Sequence, residues 1–312
     1  MKLGSIENPT SIIERRILPM RGLSIFDVRC FFRLTRMKWD ILHRTRYSYA
    51  SPVQESFNEA RLQPLSDEWQ NVDDFLLKIL PAARLRHYHD FYSNVVHHFE
   101  ILEPHSSLLV ESRTRVTTKQ HPLLPETESP WPLAQIGAAL RDTRCYEFLE
   151  AGRYVEISPG AWRLAVDATH GLQDTWQAAL ALMRFVHGHI AYLSHSTTVH
   201  THMREVLRER RGVCQDFAHV MIGLCRSLKI PALYVSGYLA TETASATHAW
   251  MEVFVPGTGW RGLDPTHNRQ TDETYVKISV GRDYADVPPL TGNYKGTLER
   301  KMEVEVKIQP VT

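Results

Sequence analysis

The stretch that decides the fold is Arg210-Arg-Gly-Val-Cys-Gln-Asp-Phe-Ala-His-Val-Met-Ile-Gly-Leu-Cys-Arg-Ser-Leu-Lys-Ile-Pro231. From Val213 onward its apolar residues recur every three or four positions, which predicts a helix with one buried face that ends before Pro231. Cys214 falls in the first turn, where unpaired backbone N–H groups and the helix dipole stabilise a thiolate. Cys214 is therefore a candidate nucleophile, although a single cysteine beside an apolar helix face is more often structural.

A nucleophilic thiol needs a base and a group that orients the base, and both occur downstream. Residues 247–255 alternate in polarity, residues 256–259 are typical of a turn, and residues 260–264 predict a returning strand. His248 opens this hairpin and Asp264 closes it. A neutral imidazole can accept the thiol proton, and a carboxylate on its other nitrogen fixes its orientation. The sequence therefore predicts a catalytic triad of Cys214, His248 and Asp264.

The turn decides whether this triad can form. A plain four-residue turn pairs Val255 with Trp260 and sets the Asp264 carboxylate on the wrong face for His248. A bulge at one of the two turn glycines shifts the register by one residue and brings the carboxylate diagonal to the imidazole. We therefore predict a bulge at Gly257 or Gly259, with a positive φ at that glycine.

Four segments, in this order, resemble the bacterial transglutaminase-like cysteine protease family. They are Gly-Val-Cys-Gln-Asp-Phe-Ala-His at 212–219, Ile-Pro-Ala-Leu-Tyr-Val-Ser-Gly-Tyr at 230–238, His-Ala-Trp-Met-Glu-Val at 248–253 and Gly-Trp-Arg-Gly-Leu-Asp-Pro-Thr at 259–266. Residues 37–52 and 280–289 resemble the N-terminal region and the C-terminal part of the same family. The resemblance implies a papain-like triad at Cys214, His248 and Asp264, with no metal and no organic cofactor.

The predicted fold class is α+β, because strands lie on both sides of a run of helices. Residues 37–120 are expected to form an N-terminal antiparallel β module of sandwich type, and residues 1–36 a loose extension. Residues 121–312 are expected to form a transglutaminase-like catalytic core, in which the helix that carries Cys214 packs on an antiparallel sheet. The predicted strands outside the hairpin are Asp40–Tyr49, Asp73–Leu80, Val95–Leu102, Ser107–Thr117, Thr274–Val280 and Met302–Ile308, and the predicted helices before Cys214 are Leu133–Phe148, Pro159–Thr169, Gln173–His187 and Met203–Arg210.

Composition excludes several classes of function. The hydrophobic content of 43% is that of a globular protein, and a net charge of +1 with a pI near 7.8 argues against nucleic-acid binding. We expect no membrane span, because no apolar run approaches the required length. Four cysteines in a chain of 312 residues do not form a disulfide framework, so the predicted location is cytoplasmic.

Several residues near the thiol in sequence have other predicted roles. His219 lies about 140° around the helix from Cys214 and is not expected to reach the sulfur. Asp216 also faces away and is expected to stabilise the helix N-terminus. The Cys214 N–H is the expected first oxyanion donor, and Tyr192 is the candidate for the second, with Gln215 as an alternative.

Histidines cluster at 87–98, which raises the possibility of metal binding. His87 and His89 share one face of a predicted strand, but no cysteine or acidic ligand completes a tetrahedral set at a familiar spacing. Solvent-facing histidines are therefore expected there.

The predicted function is that of a thiol hydrolase, which cleaves an amide or peptide bond of a protein or peptide substrate through a thioester. A transglutaminase or a glutamine deamidase would use the same triad, and a non-catalytic binding protein on the same fold is a third alternative. The N-terminal β module is a candidate surface for recruiting a partner.

Overall fold

The computed structural model describes residues 36–126, 132–140, 145–240 and 245–311. The predicted extension, residues 1–36, lies outside them except for Arg36. The fold is α+β, as predicted, with helices and antiparallel sheets in separate layers. The strands are β1 Arg36–Ala60, β2 Gln70–Leu80, β3 Arg86–His89, β4 Val95–Ile101, β5 His105–Lys119, β6 Ala191–Tyr192, β7 Arg211–Gly212, β8 Ala232–Ala240, β9 Ser245–Val255, β10 Gly259–Asp264, β11 Arg269–Gln270, β12 Tyr275–Gly281, β13 Leu290–Lys295 and β14 Arg300–Pro310. The helices are α1 Ile136–Ala139, α2 Pro159–Ala168, α3 Thr175–His189, α4 Met203–Glu209 and α5 Cys214–Ser227, with 3-10 turns at Leu133–Gln135, Tyr146–Leu149 and Tyr284–Asp286.

The N-terminal β module is organised around the long strand β1. The first half of β1 lies between β5 and β14, and its second half lies between β4 and β13. The pairing with β5 is irregular between Ser48 and Val53. Pro52 lies in this break, where a missing N–H costs no ladder hydrogen bond. The two halves share an apolar core, which consists of Tyr49, Val53, Ala60, Leu62, Leu77, Ile79, Phe99, Ile101, Leu108 and Val110.

The end of the chain returns to this module. β14 runs antiparallel to the first half of β1, from Trp39 opposite Pro310 to Tyr49 opposite Arg300. The sequence pattern predicted the strand but left its partner open. Segments 37–120 and 121–312 therefore contribute strands to the same sheet.

The second sheet has the order β11-β10-β9-β8-β12 and is antiparallel throughout. Ala249, Met251 and Val253 of β9 lie in one apolar core with buried residues of α2, α3 and α5. A separate cluster joins β8 and β12 to the N-terminal module and consists of Trp39, Ile41, Val116, Tyr238, Ala240, Val276, Ile278 and Ile308. The sheet thus holds the helix layer on one side and the β module on the other.

The helices from α2 to α5 match the predicted segments to within two or three residues at each end. The helix predicted over Leu133–Phe148 is wrong as one element. Its described residues form a 3-10 turn, the single turn α1 and a second 3-10 turn after Cys145, whereas residues 141–144 lie outside the described part. Gly137 in the middle of the first segment lowers its helix propensity. Within the described residues, no helix is both long and apolar enough to cross a bilayer.

Candidate active site

Cys214 is the first residue of α5, as predicted. Asp216 Oδ2 accepts the Val213 N–H at 2.8 Å and the Thr197 hydroxyl at 2.6 Å, so this carboxylate caps the helix. The prediction that Asp216 stabilises the helix N-terminus is confirmed. The N–H of Cys214 has no acceptor inside the helix because it belongs to the first turn. Such a donor beside the sulfur is suited to bind an oxyanion.

The β9–β10 hairpin has the expected register, but its pairing is regular from Gly259 opposite Val255 to Leu263 opposite Met251, so the shift comes from a shorter turn rather than from the predicted bulge. Leu263 pairs with Met251, so the next residue, Asp264, lies diagonal to His248 on the same face. The two side chains that the plain turn would have separated are thereby brought together.

The turn itself explains the register. Its three linking residues are closed by a 3.0 Å hydrogen bond from the Thr258 N–H to the Val255 carbonyl. Gly257 and Gly259 have φ values of +74° and +84°. Residues with a β-carbon rarely adopt such angles, so the two glycines select this turn, which is one residue shorter than the plain turn.

Two neighbours act on the His248 ring. Its Nε2 lies 2.8 Å from Asp264 Oδ2, and Cys214 is close enough to raise the pKa of the ring. Burial alone would lower the pKa of His248, but the hydrogen bonds and charges of Asp264 and Cys214 outweigh it and raise the pKa to about 9. The site therefore favours an imidazolium beside the sulfur at neutral pH.

Asp264 is a fully buried acceptor of several hydrogen bonds. Besides His248, Oδ2 accepts from His267 Nδ1 at 2.7 Å and from the Tyr275 hydroxyl at 2.7 Å. Oδ1 accepts the backbone N–H groups of Thr266 and His267 at 2.9 and 3.3 Å. Burial alone would raise the pKa of Asp264, yet these hydrogen bonds hold it well below its usual range. The carboxylate therefore stays charged and faces His248.

The sequence analysis missed two residues of this network, His267 and Tyr275. His267 could have been identified, because it follows Asp264 by three residues in the same turn. Tyr275 could not, because β12 lies at the far edge of the sheet from β10 and β11. Arg269 supports Tyr275 by donating Nε–H to its hydroxyl at 2.9 Å, with the guanidinium 5.0 Å from the ring centroid.

His219 is structural, as the helix geometry predicted. It is fully buried, and its Nε2 accepts the Tyr284 N–H at 3.1 Å. Burial lowers the pKa of His219 to about 3, so the ring is neutral at physiological pH. The His219 ring packs against the rings of Tyr154 and Tyr234, with centroid-to-centroid distances of 5.6 and 5.1 Å.

The two candidates for a second oxyanion donor differ in their surroundings. Tyr192 lies in β6 beside Gly212 of β7, and burial together with the nearby Cys214 raises its pKa. Its role as a donor stays a prediction. Gln215 instead uses its amide to hold the preceding loop, since Nε2 donates to the Val199 carbonyl at 3.0 Å.

The histidine cluster of the β module is partly as expected. His87 and His89 are exposed on β3. The expectation is wrong for His97, which is only 8% exposed. Its strand, β4, lies between β1 and β3, and its ring packs 5.2 Å from Phe75.

A labelling experiment tests the special position of Cys214. Iodoacetamide at low concentration and neutral pH is expected to alkylate Cys214 much faster than Cys225. Peptide mass spectrometry measures the two rates. Cys225 is fully buried, and burial raises its pKa to about 12, so its thiolate is rare at neutral pH. Comparable labelling of Cys225 in the folded protein would contradict the assignment.

Comparisons with known proteins agree with this geometry. Residues 39–117 match the bacterial transglutaminase-like N-terminal region, and residues 163–265 match the transglutaminase-like superfamily. An uncharacterized protein of Mycobacterium leprae is 34% identical over 86% of this chain and 97% of its own length.

Two further similarities concern fold and chemistry. A crystal structure from Cytophaga hutchinsonii, of a protein provisionally described as a cysteine protease, has a TM-score of 0.73 and 26% identity, covering 88% of this chain and 91% of that one. The protein-glutamine gamma-glutamyltransferase of Pseudomonas aeruginosa is 34% identical over 144 residues, which are 41% of this chain and 21% of that protein.

Proposed function

Because the chain belongs to the transglutaminase-like superfamily, we propose that it is a cysteine-dependent hydrolase that cleaves an amide or peptide bond. Cys214 is the nucleophile, His248 transfers the proton, and Asp264 orients His248. The observation that carries this proposal is the contact of His248 Nε2 with the buried Asp264 carboxylate at 2.8 Å, with Cys214 close enough to raise the pKa of the same ring. Protein and peptide amides are the proposed substrates.

The proposed reaction has two halves. The Cys214 thiolate attacks the amide carbonyl, and the developing oxyanion is bound by the backbone N–H at the start of α5. The His248 imidazolium then protonates the departing amine, which leaves a thioester on the sulfur. In the second half His248 accepts a proton from water, the resulting hydroxide attacks the thioester, and the acid product leaves. Asp264 stays ionised throughout and holds the ring in place.

Three aromatic residues bear on the choice between hydrolysis and transfer to an amine. A transglutaminase must shield its thioester from water. The aromatic residues in or near the site motifs that could line a shielding channel are Trp250, Trp260 and Tyr238. Trp250 is 1% exposed and packs 5.2 Å from the Tyr275 ring. Trp260 packs on Phe148, with centroids 5.2 Å apart.

The third of them, Tyr238, is 1% exposed, and its hydroxyl hydrogen-bonds His43 of the β module at 2.9 Å. Each of the three side chains is thus used in packing rather than in a channel over the sulfur. Cys214 itself is partly exposed. This arrangement favours access of water, and hence hydrolysis.

The second candidate is amide transfer or deamidation of glutamine by the same three residues. It is favoured by the name of the Pseudomonas aeruginosa relative, whose matching segment covers 41% of this chain. In transfer an amine resolves the thioester, whereas deamidation releases ammonia from the glutamine side chain and water resolves the thioester.

One assay separates these candidates. With a glutamine-containing peptide library and a fluorescent primary amine, peptide cleavage is expected to outpace both deamidation and incorporation of the amine. Peptide masses report the first two reactions and fluorescence the third. If incorporation is faster and disappears in Cys214→Ala, the hydrolase proposal fails while the triad stands.

A further inference from the structure

Two imidazoles converge on one carboxylate oxygen at the candidate active site. His248 Nε2 and His267 Nδ1 lie 2.8 and 2.7 Å from Asp264 Oδ2, and the three atoms are all within 4.8 Å of one another. General acid–base catalysis needs only one imidazole at this oxygen. The second imidazole completes a donor set of two nitrogens and one carboxylate oxygen, which suits transition-metal ions of the Zn²⁺ type.

The surroundings have the features that support metal ligands. A ligating carboxylate is usually held by further hydrogen bonds, and Oδ2 also accepts the Tyr275 hydroxyl at 2.7 Å. A ligating histidine usually engages its other ring nitrogen, and Cys214 is close enough to His248 to act on its ring. The His267 side chain is 46% exposed, so an ion can arrive from solvent and keep a water ligand on that side.

We propose that His248, Asp264 and His267 form a binding site for a divalent transition-metal ion such as Zn²⁺, and that its occupancy reversibly inhibits the enzyme. The ion takes the place of the ring hydrogens that now point at Oδ2: the His248 imidazolium releases its Nε2 proton to solvent, and His267 binds as the tautomer that carries its proton on Nε2. Around a tetrahedral ion with metal–ligand distances of about 2.0–2.2 Å, neighbouring ligand atoms lie about 3.4 Å apart, so the N···O distances of 2.8 and 2.7 Å must lengthen by about 0.6–0.7 Å to admit the ion. Mg²⁺ and Ca²⁺ are not expected to bind, since they prefer oxygen ligands.

Inhibition follows from the role proposed for His248, and this half of the inference rests on the proposed function. With the ion on Nε2, the ring is a neutral ligand whose remaining Nδ1–H is a much weaker acid than that of an imidazolium. It then protonates the departing amine poorly. The carboxylate is drawn to the ion at the same time and no longer orients the ring.

Binding is tested without the thiol, because Cys214 is itself a potential zinc ligand. The Cys214→Ala protein is expected to bind one Zn²⁺ per chain in equilibrium dialysis, and excess Mg²⁺ is not expected to compete. Adding His267→Asn, which keeps a donor for Asp264 and removes the nitrogen ligand, is expected to weaken binding at least about tenfold. His267→Gln is the second variant, and His89→Asn, an exposed histidine on β3, is the matched control.

Two binding outcomes would overturn the site. One is loss of zinc binding in Cys214→Ala itself, which would make the thiolate the essential ligand. The other is unchanged affinity in both His267 variants, or an equal loss in His89→Asn.

Inhibition is measured separately, on the chain that retains Cys214. Micromolar Zn²⁺ is expected to inhibit amide hydrolysis reversibly, with recovery on chelation. The His267→Asn protein, compared with its own metal-free rate, is expected to need at least about tenfold more zinc. Binding to Cys214→Ala without inhibition of the active chain would support the site and contradict the role of His248 in the proposed function.

Discussion

Replacing Cys214 with alanine is expected to lower the rate of amide hydrolysis by about 10⁴-fold or more, because the thioester can no longer form. Stability is expected to change by less than about 1 kcal/mol, since Cys214 is partly exposed at the first turn of α5. Hydrolysis of the best library peptide, followed together with urea unfolding, checks both expectations.

The matched control is the other cysteine of α5. Cys225 is fully buried in the helical core, so Cys225→Ala is expected to cost about 1–2 kcal/mol of stability and to leave the chemistry intact. Retention of more than about one hundredth of the native rate by Cys214→Ala would contradict the nucleophile assignment.

The second large effect concerns Arg226, which anchors the far end of α5. It is fully buried, and its guanidinium donates to the carbonyls of Ala232, Glu150 and Arg282 at 2.7 to 3.1 Å. Burial lowers the pKa of Arg226 to about 10, so it remains charged at neutral pH. One side chain thereby joins the helix to β8 and to two loops.

Arg226→Met is expected to lower the free energy of unfolding by about 3–5 kcal/mol, because it leaves the buried Ala232 carbonyl and two partly buried carbonyls without their donor. Urea unfolding measures the loss. The control is Arg163→Met on α2, where an exposed pair with Asp167 is expected to contribute less than about 0.5 kcal/mol. A cost below about 1 kcal/mol for Arg226→Met would show that water replaces the guanidinium in the folded state.

Whatever depends on near neighbours in the chain could be predicted from the sequence. The period of the apolar residues and the capping carboxylate of Asp216 determine α5 and place Cys214 at its start. The positive φ values of Gly257 and Gly259 select the turn, and the turn sets the register that brings Asp264 beside His248. These elements are specified by interactions over a few residues, so their geometry follows from local patterns.

The pairing of distant segments was decided only in the tertiary structure. An alternating pattern predicts that residues 302–308 form a strand, but many strands offer a compatible edge, and only packing selects β1 as its partner. The same holds for Tyr275, which begins β12 at the opposite edge of the sheet and whose hydroxyl still reaches Asp264 at 2.7 Å, and for the carbonyls around Arg226. The pairing of β14 with β1 and the contacts of Arg226 with Glu150 and Arg282 join residues far apart in the chain, and their loop-closure entropy is offset only by the folded core as a whole.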